Sequence, residues 1–294
     1  MLGGNVFGWT IDRDRSFAVL DAFVAGGGVM IDTADVYWKF KPGNQGGESE
    51  TIIGEWMKAR RNRDRVLIAT KVGHQEGLAA DTILRGAEAS LRRLQTDRID
   101  LYYSHVDHPQ TPVSEFLGAL DRLVREGKVR AIGASQISPE RLEEALAFSR
   151  NNGLAAYSVL QTWYNLIERP LYEGALADTV RRHGLGMVAF YGLANGYLTG
   201  KYRQESDFEQ GVRGERVRPY FEGKGPALLA ALDAVATELG ATPAQVALAW
   251  TAAQPDATAP IASATSVRQV EELLGSLDLT LKPDQLRRLN LASR

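Results

Sequence analysis

Four residues have types and positions that suit proton transfer to a polarised oxygen: Asp32, Tyr37, Lys71 and His105. Asp32 follows the apolar run Val29–Ile31, and Tyr37 lies five residues further on. Lys71 follows Val66–Ala69 and Thr70, and His105 comes just after Ile99–Tyr103. A carbonyl that receives hydride becomes an alkoxide unless a proton arrives, so a general acid must hydrogen-bond its oxygen. Tyrosine ordinarily titrates near pH ~10, and a neighbouring ammonium such as Lys71 would lower that value. Asp32 would hold Lys71 charged and in place, and His105 would give the oxygen a second hydrogen bond. The same groups would also suit other chemistry, a Schiff base on Lys71 among it. Metal binding is disfavoured, because His105, Asp107 and His108 have no evident further ligand.

These residues need a frame that brings strand ends together. Further short apolar runs occur at Val129–Ile132, Val159–Leu160, Met187–Phe190 and Pro260–Ala262, with a strand stub near Leu2–Phe7. Such β-branched runs, bounded by Gly, Asp or Ser, read as buried parallel strands. Between the runs lie helical stretches at Arg15–Ala25, Glu48–Ala59, Asp81–Leu94, Pro112–Glu126, Pro139–Asn152, Leu171–His183 and Ser266–Leu274. Asp81 and Ser138-Pro139 read as helix starts, and Asn152-Gly153 as a stop. Eight β/α units at a spacing of roughly 30 residues give the rhythm of a (β/α)₈ TIM barrel, an α/β fold in one domain over residues 1–294. No G-x-G-x-x-G follows a strand, which argues against a doubly wound dinucleotide fold. Gly196–Lys201 fails as a P-loop in spacing and in its last residue.

Two stretches break the rhythm. Arg203–Gly225 is a charged insertion with five basic and five acidic residues, and Thr242–Ala253 reads as an extra helix. In a barrel the strand C-termini share one mouth, where chemistry sits.

Composition narrows the function classes. The 294 residues are 44% hydrophobic and 24% charged, with a net charge of −2 from 34 basic and 36 acidic side chains. That balance gives no reason to expect nucleic acid as a partner. The chain has no cysteine, so disulfides, thiolate nucleophiles and Cys-ligated metals are excluded. Met1–Asn5 reads as no signal peptide, and no apolar stretch reaches the ~18 residues of a membrane span. A cytoplasmic protein acting on a small molecule is expected, with the oligomeric state left open.

The motifs around the four residues resemble those of the aldo-keto reductase superfamily, in particular its potassium-channel β-subunit-like branch. MIDTADVYWKF resembles the family's D-T-A-x-x-Y, LIATKVG its strand-three lysine motif and DLYYSHVDHP its strand-four histidine motif. AIGASQIS is similar to G-x-S-N, QTWYNLIER to Q-x-x-Y-N-L, and FYGLANGYLTGKY to the segment that straps the cofactor. The six matches run in family order from about Gly3 to Glu272.

This resemblance implies an NADP(H)-dependent reductase of a small carbonyl compound (or oxidant of its alcohol), with Tyr37 as acid and Asp32, Lys71 and His105 in support. It implies cofactor contacts from Asn5 and Asp32, and from Ser135, Gln136 and Gln161 at the nicotinamide carboxamide. Phe190 would stack on the nicotinamide ring. Tyr191, Gly192, Leu193, Asn195 and Lys201 would strap the pyrophosphate. Ser263, Thr265, Gln269 and Glu272 would meet the adenosine end, with Arg268 and Arg213 as partners for a 2′-phosphate. Trp9, Trp38, Phe40 and Trp163 would line the substrate pocket. The alternative is an NADP(H)-binding sensor or regulatory barrel with little turnover.

Departures from the family pattern are Gly192 for Pro, Gln136 for Asn and Leu273 for Asn. An N-terminal floor hairpin and a long C-terminal extension are also expected to be absent.

Overall fold

The computed structural model describes residues 1–210 and 214–294. Arg213 lies outside the described residues. The strands are β1 (Leu2–Gly3), β2 (Met30–Asp32), β3 (Leu67–Val72), β4 (Ile99–Ser104), β5 (Val129–Ser135), β6 (Tyr157–Trp163), β7 (Gly186–Phe190) and β8 (Ala257–Pro260). All pair in parallel, in sequence order. The seam closes through a parallel bridge between Leu2 and Ala262, in which Gly3 N–H donates to Ala262 O at 2.9 Å and Ala262 N–H to Met1 O at 3.2 Å. The expected (β/α)₈ architecture is therefore present.

The helices are α1 (Arg13–Ala25), α2 (Glu48–Arg60), α3 (Ala80–Leu94), α4 (Val113–Arg125), α5 (Pro139–Asn152), α6 (Ala175–His183), α7 (Gly214–Phe221), α8 (Gly225–Leu239), α9 (Pro243–Ala252), α10 (Val267–Leu274) and α11 (Pro283–Ala292). Among the described residues, no single helix is long and apolar enough to cross a membrane. Local chemistry explains most boundaries. Asp12 accepts the Arg15 N–H to start α1, and Ser138 accepts the Arg141 N–H to start α5, with Pro139 in the first turn. Gly153 ends α5 in the left-handed region at φ 61°.

Several boundaries differ from the sequence reading. Asp81 lies inside the first turn of α3, where its charge complements the helix dipole, and does not cap it. Only Leu2–Gly3 of the first stub is strand, because Gly4–Val6 winds into a 3₁₀ turn. Helix α6 starts at Ala175, since Gly174 at φ 108° separates it from the turn at Arg169–Leu171. Strand β8 precedes most of the apolar run at Pro260–Ala262. Helices α7, α8 and α11 add to the expected set.

The site rests on ties behind the strand ends. Thr33 Oγ1 donates to Ser49 Oγ (2.8 Å), which donates to Gly4 O (2.8 Å), joining β2, α2 and the β1 loop. Glu50 is fully buried and accepts Thr70 Oγ1 and Arg93 Nε, each at 2.6 Å, joining α2, β3 and α3. The α2–α3 contact is close enough to require Gly54: a Cβ there would stand 2.2 Å from Arg93 O and 2.7 Å from the Leu94 carbonyl carbon. Gly54→Ala is expected to destabilise the fold by about 1–3 kcal/mol through overpacking against backbone, as read by urea unfolding.

Candidate active site

Strands β2 and β3 pair Asp32 with Ala69, which places Lys71 one inward step further along the barrel wall. From there Lys71 Nζ donates to Asp32 Oδ1 at 2.6 Å, Thr33 O at 2.7 Å and Tyr37 Oη at 2.9 Å. All three ammonium hydrogens thus have an acceptor. The Tyr37 hydroxyl donates to the same Asp32 Oδ1 over a longer 3.2 Å, and Gln161 Nε2 donates to Asp32 Oδ2 at 2.8 Å. His105 completes the group from the end of β4, its ring edge-on to Tyr37 with centroids 6.1 Å apart. Its Nδ1 is buried and has no partner among the described residues. Asp32, Tyr37, Lys71 and His105 therefore meet in one place.

Burial dominates the electrostatics. It pushes the Lys71 ammonium down from its ordinary value, while Asp32, and then Asp35 and Glu50, push it back up. His105 is held well below the usual imidazole range by burial, then by Lys71 and His74, so its ring is neutral at pH 7. The expectation that Lys71 lowers the Tyr37 phenol is overturned. Burial raises it well above 10, and the Asp32 carboxylate raises it further. The Lys71 charge is paired with Asp32 at 2.6 Å, so it does not offset that rise in the resting site.

The mouth has two aromatic sides. On one, the Trp9 and Trp38 indoles stack with an interplanar angle of 14°. On the other, the Trp163 ring packs on Tyr191 (4.2 Å) and Phe190 (5.8 Å). Tyr191, in the left-handed region at φ 56°, is near enough to Tyr37 to act on its charge. Phe40 is corrected as a wall residue, because it is 78% exposed.

The residues expected at a cofactor are spread around the same rim. Ser135 is buried, and Gln136 (φ 47°) ties its amide nitrogen to His105 O at 3.1 Å. The Gln161 nitrogen is taken by Asp32, which leaves its oxygen for other partners. Beyond Gly192 and Leu193, the chain turns sharply through Ala194, Asn195 and Gly196, all at positive φ. Asn195 Oδ1 is buried there with no partner among the described residues. Lys201 is exposed beyond that turn, its ammonium 4.9 Å from the centre of the Tyr202 ring. Asn5 Oδ1 accepts Ser263 Oγ at 2.6 Å, linking β1 to the loop after β8. Gln269 Oε1 accepts both the Thr265 N–H (2.7 Å) and its hydroxyl (3.0 Å) at the start of α10. Arg268 is exposed in the first turn of that helix, and Glu272 is half-buried further along it.

A sequence profile of the aldo/keto reductase family matches residues 1–293. The chain belongs to the aldo-keto reductase family. It is similar to the uncharacterized oxidoreductase YrpG of Bacillus subtilis (strain 168), at 34% identity over 98% of this chain and 90% of that protein. It is similar to the aldo-keto reductase yakc of Schizosaccharomyces pombe, whose name carries NADP(+), at 31% identity over 86% of this chain and 78% of that one. A norsolorinic acid reductase of Aspergillus flavus is 30% identical over 95% of this chain and 71% of its own length. These likenesses make the chain a carbonyl-reducing oxidoreductase of a family that uses nicotinamide cofactors.

Two contributors escaped the sequence reading. Thr33 acts through its backbone oxygen, which no side-chain pattern signals. Glu168 accepts hydrogen bonds from Trp163 Nε1, Asn165 Nδ2 and Tyr220 Oη; its place in YNLIER, just after β6, was the available signal.

Asp35, three residues beyond Asp32, lines a cavity of about 260 Å³ with His74, Glu76 and Arg93, and its Oδ1 is buried without a partner among the described residues. Burial, with Glu50 adding, raises its carboxyl to about 7. A carboxyl whose folded value lies above its unfolded value of 3.8 stabilises fully below that value, and the contribution is lost as pH rises towards about 7. Asp35→Asn removes this loss. Relative to the parent, the variant is expected to gain about 2–4 kcal/mol of stability between pH 5 and pH 8, read by urea unfolding at both.

Proposed function

We propose that the chain is an NADP(H)-dependent reductase of aldehydes or ketones in which Tyr37 is the general acid. The observation that carries this reading is the buried Lys71 ammonium, bonded at once to Asp32 and to the Tyr37 hydroxyl. The Tyr37 proton rests on Asp32 through its longest contact, 3.2 Å, so it is the one most easily redirected to an oxygen in the mouth. A phenol raised by burial stays protonated through neutral pH and still yields its proton to an alkoxide, which is the stronger base. Lys71 then donates to the phenolate left behind. Neutral His105 donates one hydrogen bond to the same substrate oxygen and orients it. Because Lys71 has three acceptors and a carboxylate at 2.6 Å, it suits this role better than that of a Schiff-base amine.

The cofactor supplies the hydride when bound. Ser135, Gln136 and the Gln161 oxygen would take its carboxamide, and Phe190 its ring. Tyr191, Gly192, Leu193, Asn195 and Lys201 would take the pyrophosphate, where Asn195 Oδ1, without a partner among the described residues, suits a ribose hydroxyl. Ser263, Thr265, Gln269 and Glu272 would meet the adenosine, with Asn5 supporting through Ser263. Arg268 beside the α10 N-terminus suits a 2′-phosphate, and the similar protein named for NADP(+) supports that choice. Trp9, Trp38 and Trp163 would face the carbonyl compound. The active unit is one domain, placed in the cytoplasm.

Tyr37→Phe is expected to lower kcat by about 10²–10⁴ while NADPH still binds, measured by NADPH oxidation with a panel of aldehydes and by nucleotide titration. Tight NADPH binding by the parent without turnover of any aldehyde or ketone would sink the reductase reading. Arg268→Ala is expected to raise the KM for NADPH by about tenfold and leave that for NADH unchanged.

A further inference from the structure

Glu168 sits where three parts of the molecule meet, and neither the fold nor the proton chemistry accounts for it. Its Oε2 accepts Trp163 Nε1 and, at 2.7 Å, Asn165 Nδ2. Its Oε1 accepts the Tyr220 hydroxyl at 2.7 Å. Among the described residues it has no salt-bridge partner, and its neighbour Arg169 is turned to Glu173 at 2.8 Å. A half-buried carboxylate held, among the described residues, by neutral donors alone is an unusual arrangement for a side chain that serves only to fold a loop.

The partners lead in different directions. Trp163 packs on Tyr191 and Phe190, and Asn165 Nδ2 also donates to Tyr191 O at 3.0 Å. These contacts define one wall of the mouth. Tyr220 belongs to α7, in the charged insertion. Its hydroxyl accepts Asn195 Nδ2 at 3.4 Å, and its ring lies 5.7 Å from Tyr197. Those contacts reach the turn read above as the nucleotide strap.

We propose that Glu168 is a positioning residue that couples the nucleotide strap to the wall of the carbonyl pocket. One carboxyl oxygen fixes the indole and the loop beneath Tyr191, and the other fixes Tyr220 and through it Asn195. Strap and wall are thereby set together. This rests on the nucleotide-dependent reading above, and the side chains that would meet substrate or nucleotide are Trp163, Tyr191 and Asn195 rather than Glu168 itself.

The test compares Glu168→Ala, Glu168→Gln and Tyr220→Phe in the full chain. Glutamine keeps the geometry without the charge: its oxygen accepts Trp163 and Asn165, and its amide nitrogen donates to the Tyr220 oxygen. NADPH affinity is read by titration, kcat and KM with 4-nitrobenzaldehyde as the probe, and folding by thermal melt. Glu168→Ala is expected to weaken NADPH at least tenfold and raise the aldehyde KM at least fivefold, with kcat within threefold of the parent. Glu168→Gln is expected to lie within twofold of the parent on both. Tyr220→Phe, which cuts the tie on the strap side alone, is expected to weaken NADPH and to raise the aldehyde KM in the same direction by a smaller factor than Glu168→Ala.

Loss of only one of the two parameters in Glu168→Ala would overturn the coupling, as would a Glu168→Gln as defective as Glu168→Ala. If the parent reduced no carbonyl compound, the reductase reading would fail by itself. Hydrogen exchange across 214–221 would then decide the tie: faster in Glu168→Ala and restored in Glu168→Gln supports it, and no change refutes it.

Discussion

The contact between Lys71 and Asp32, 2.6 Å long with both side chains almost wholly buried, is the constraint on which the rest of the mouth depends. Taking an ammonium and a carboxylate out of water costs several kcal/mol per ion, an expense that attraction alone scarcely offsets. The pair survives because every remaining donor and acceptor is used. Lys71 spends its other hydrogens on Thr33 O and Tyr37, and Asp32 accepts from Tyr37 and Gln161. Such a saturated network has few alternative arrangements, so it fixes the position of the phenol as well as its own. The ties through Ser49 and Glu50 hold the strand ends and helices whose drift would open it.

Two more carboxyl groups stand behind the pair. Glu50 and Asp35 both favour the charged form of Lys71, though neither touches it through its side chain. Burial alone would tend to discharge the lysine, and a neutral amine would no longer stabilise a phenolate. The three acids act against that tendency together, Asp32 most strongly. Asp35 itself is raised towards neutrality, by burial first and by the Glu50 charge second. On the other flank His105 is kept neutral, so the mouth carries little net charge from its reacting groups. A neutral carbonyl compound can then enter without displacing a counter-ion.

Much of this was legible in the sequence, because a parallel strand buried on both sides reads as an apolar run and the titratable residue at its end marks the mouth. Asp32, Lys71 and His105 were found that way, and Tyr37 by its distance from Asp32. What escaped has physical reasons. The sign of the Tyr37 shift depends on how completely the site is buried, and proximity in a motif carries no measure of burial. Gln161 could be placed at the mouth, but that its nitrogen bonds Asp32 is a matter of rotamer. Phe40 looked like a pocket aromatic beside Trp38, yet the chain turns at Trp38 (φ 58°) and leaves it in solvent. Helix α8, rich in alanine and leucine, shows little of the polar alternation that marks an amphipathic helix.

The two sides of the mouth are built on different principles, which bears on how the barrel can vary its substrate. The Trp9–Trp38 side is self-contained. Trp38 Nε1 donates to Asn5 O, and Lys41 Nζ donates to Gly8 O (3.1 Å) and Trp9 O (3.0 Å), so the loops after β1 and β2 brace each other. Stacked indoles on so braced a base make a wall of fixed shape. On the Trp163–Tyr191 side the loops after β6 and β7 are also tied, by Asn165 Nδ2 donating to Tyr191 O at 3.0 Å. That tie is itself anchored at Glu168, which accepts from Trp163, Asn165 and, in α7 far along the chain, Tyr220. A fixed wall selects by shape, whereas a wall held through the insertion moves with whatever the insertion contacts. If Glu168 couples the two as proposed, a change at Tyr220 reaches the carbonyl pocket without altering a residue that lines it, and a barrel with an unchanged proton network acquires a different substrate range by that route.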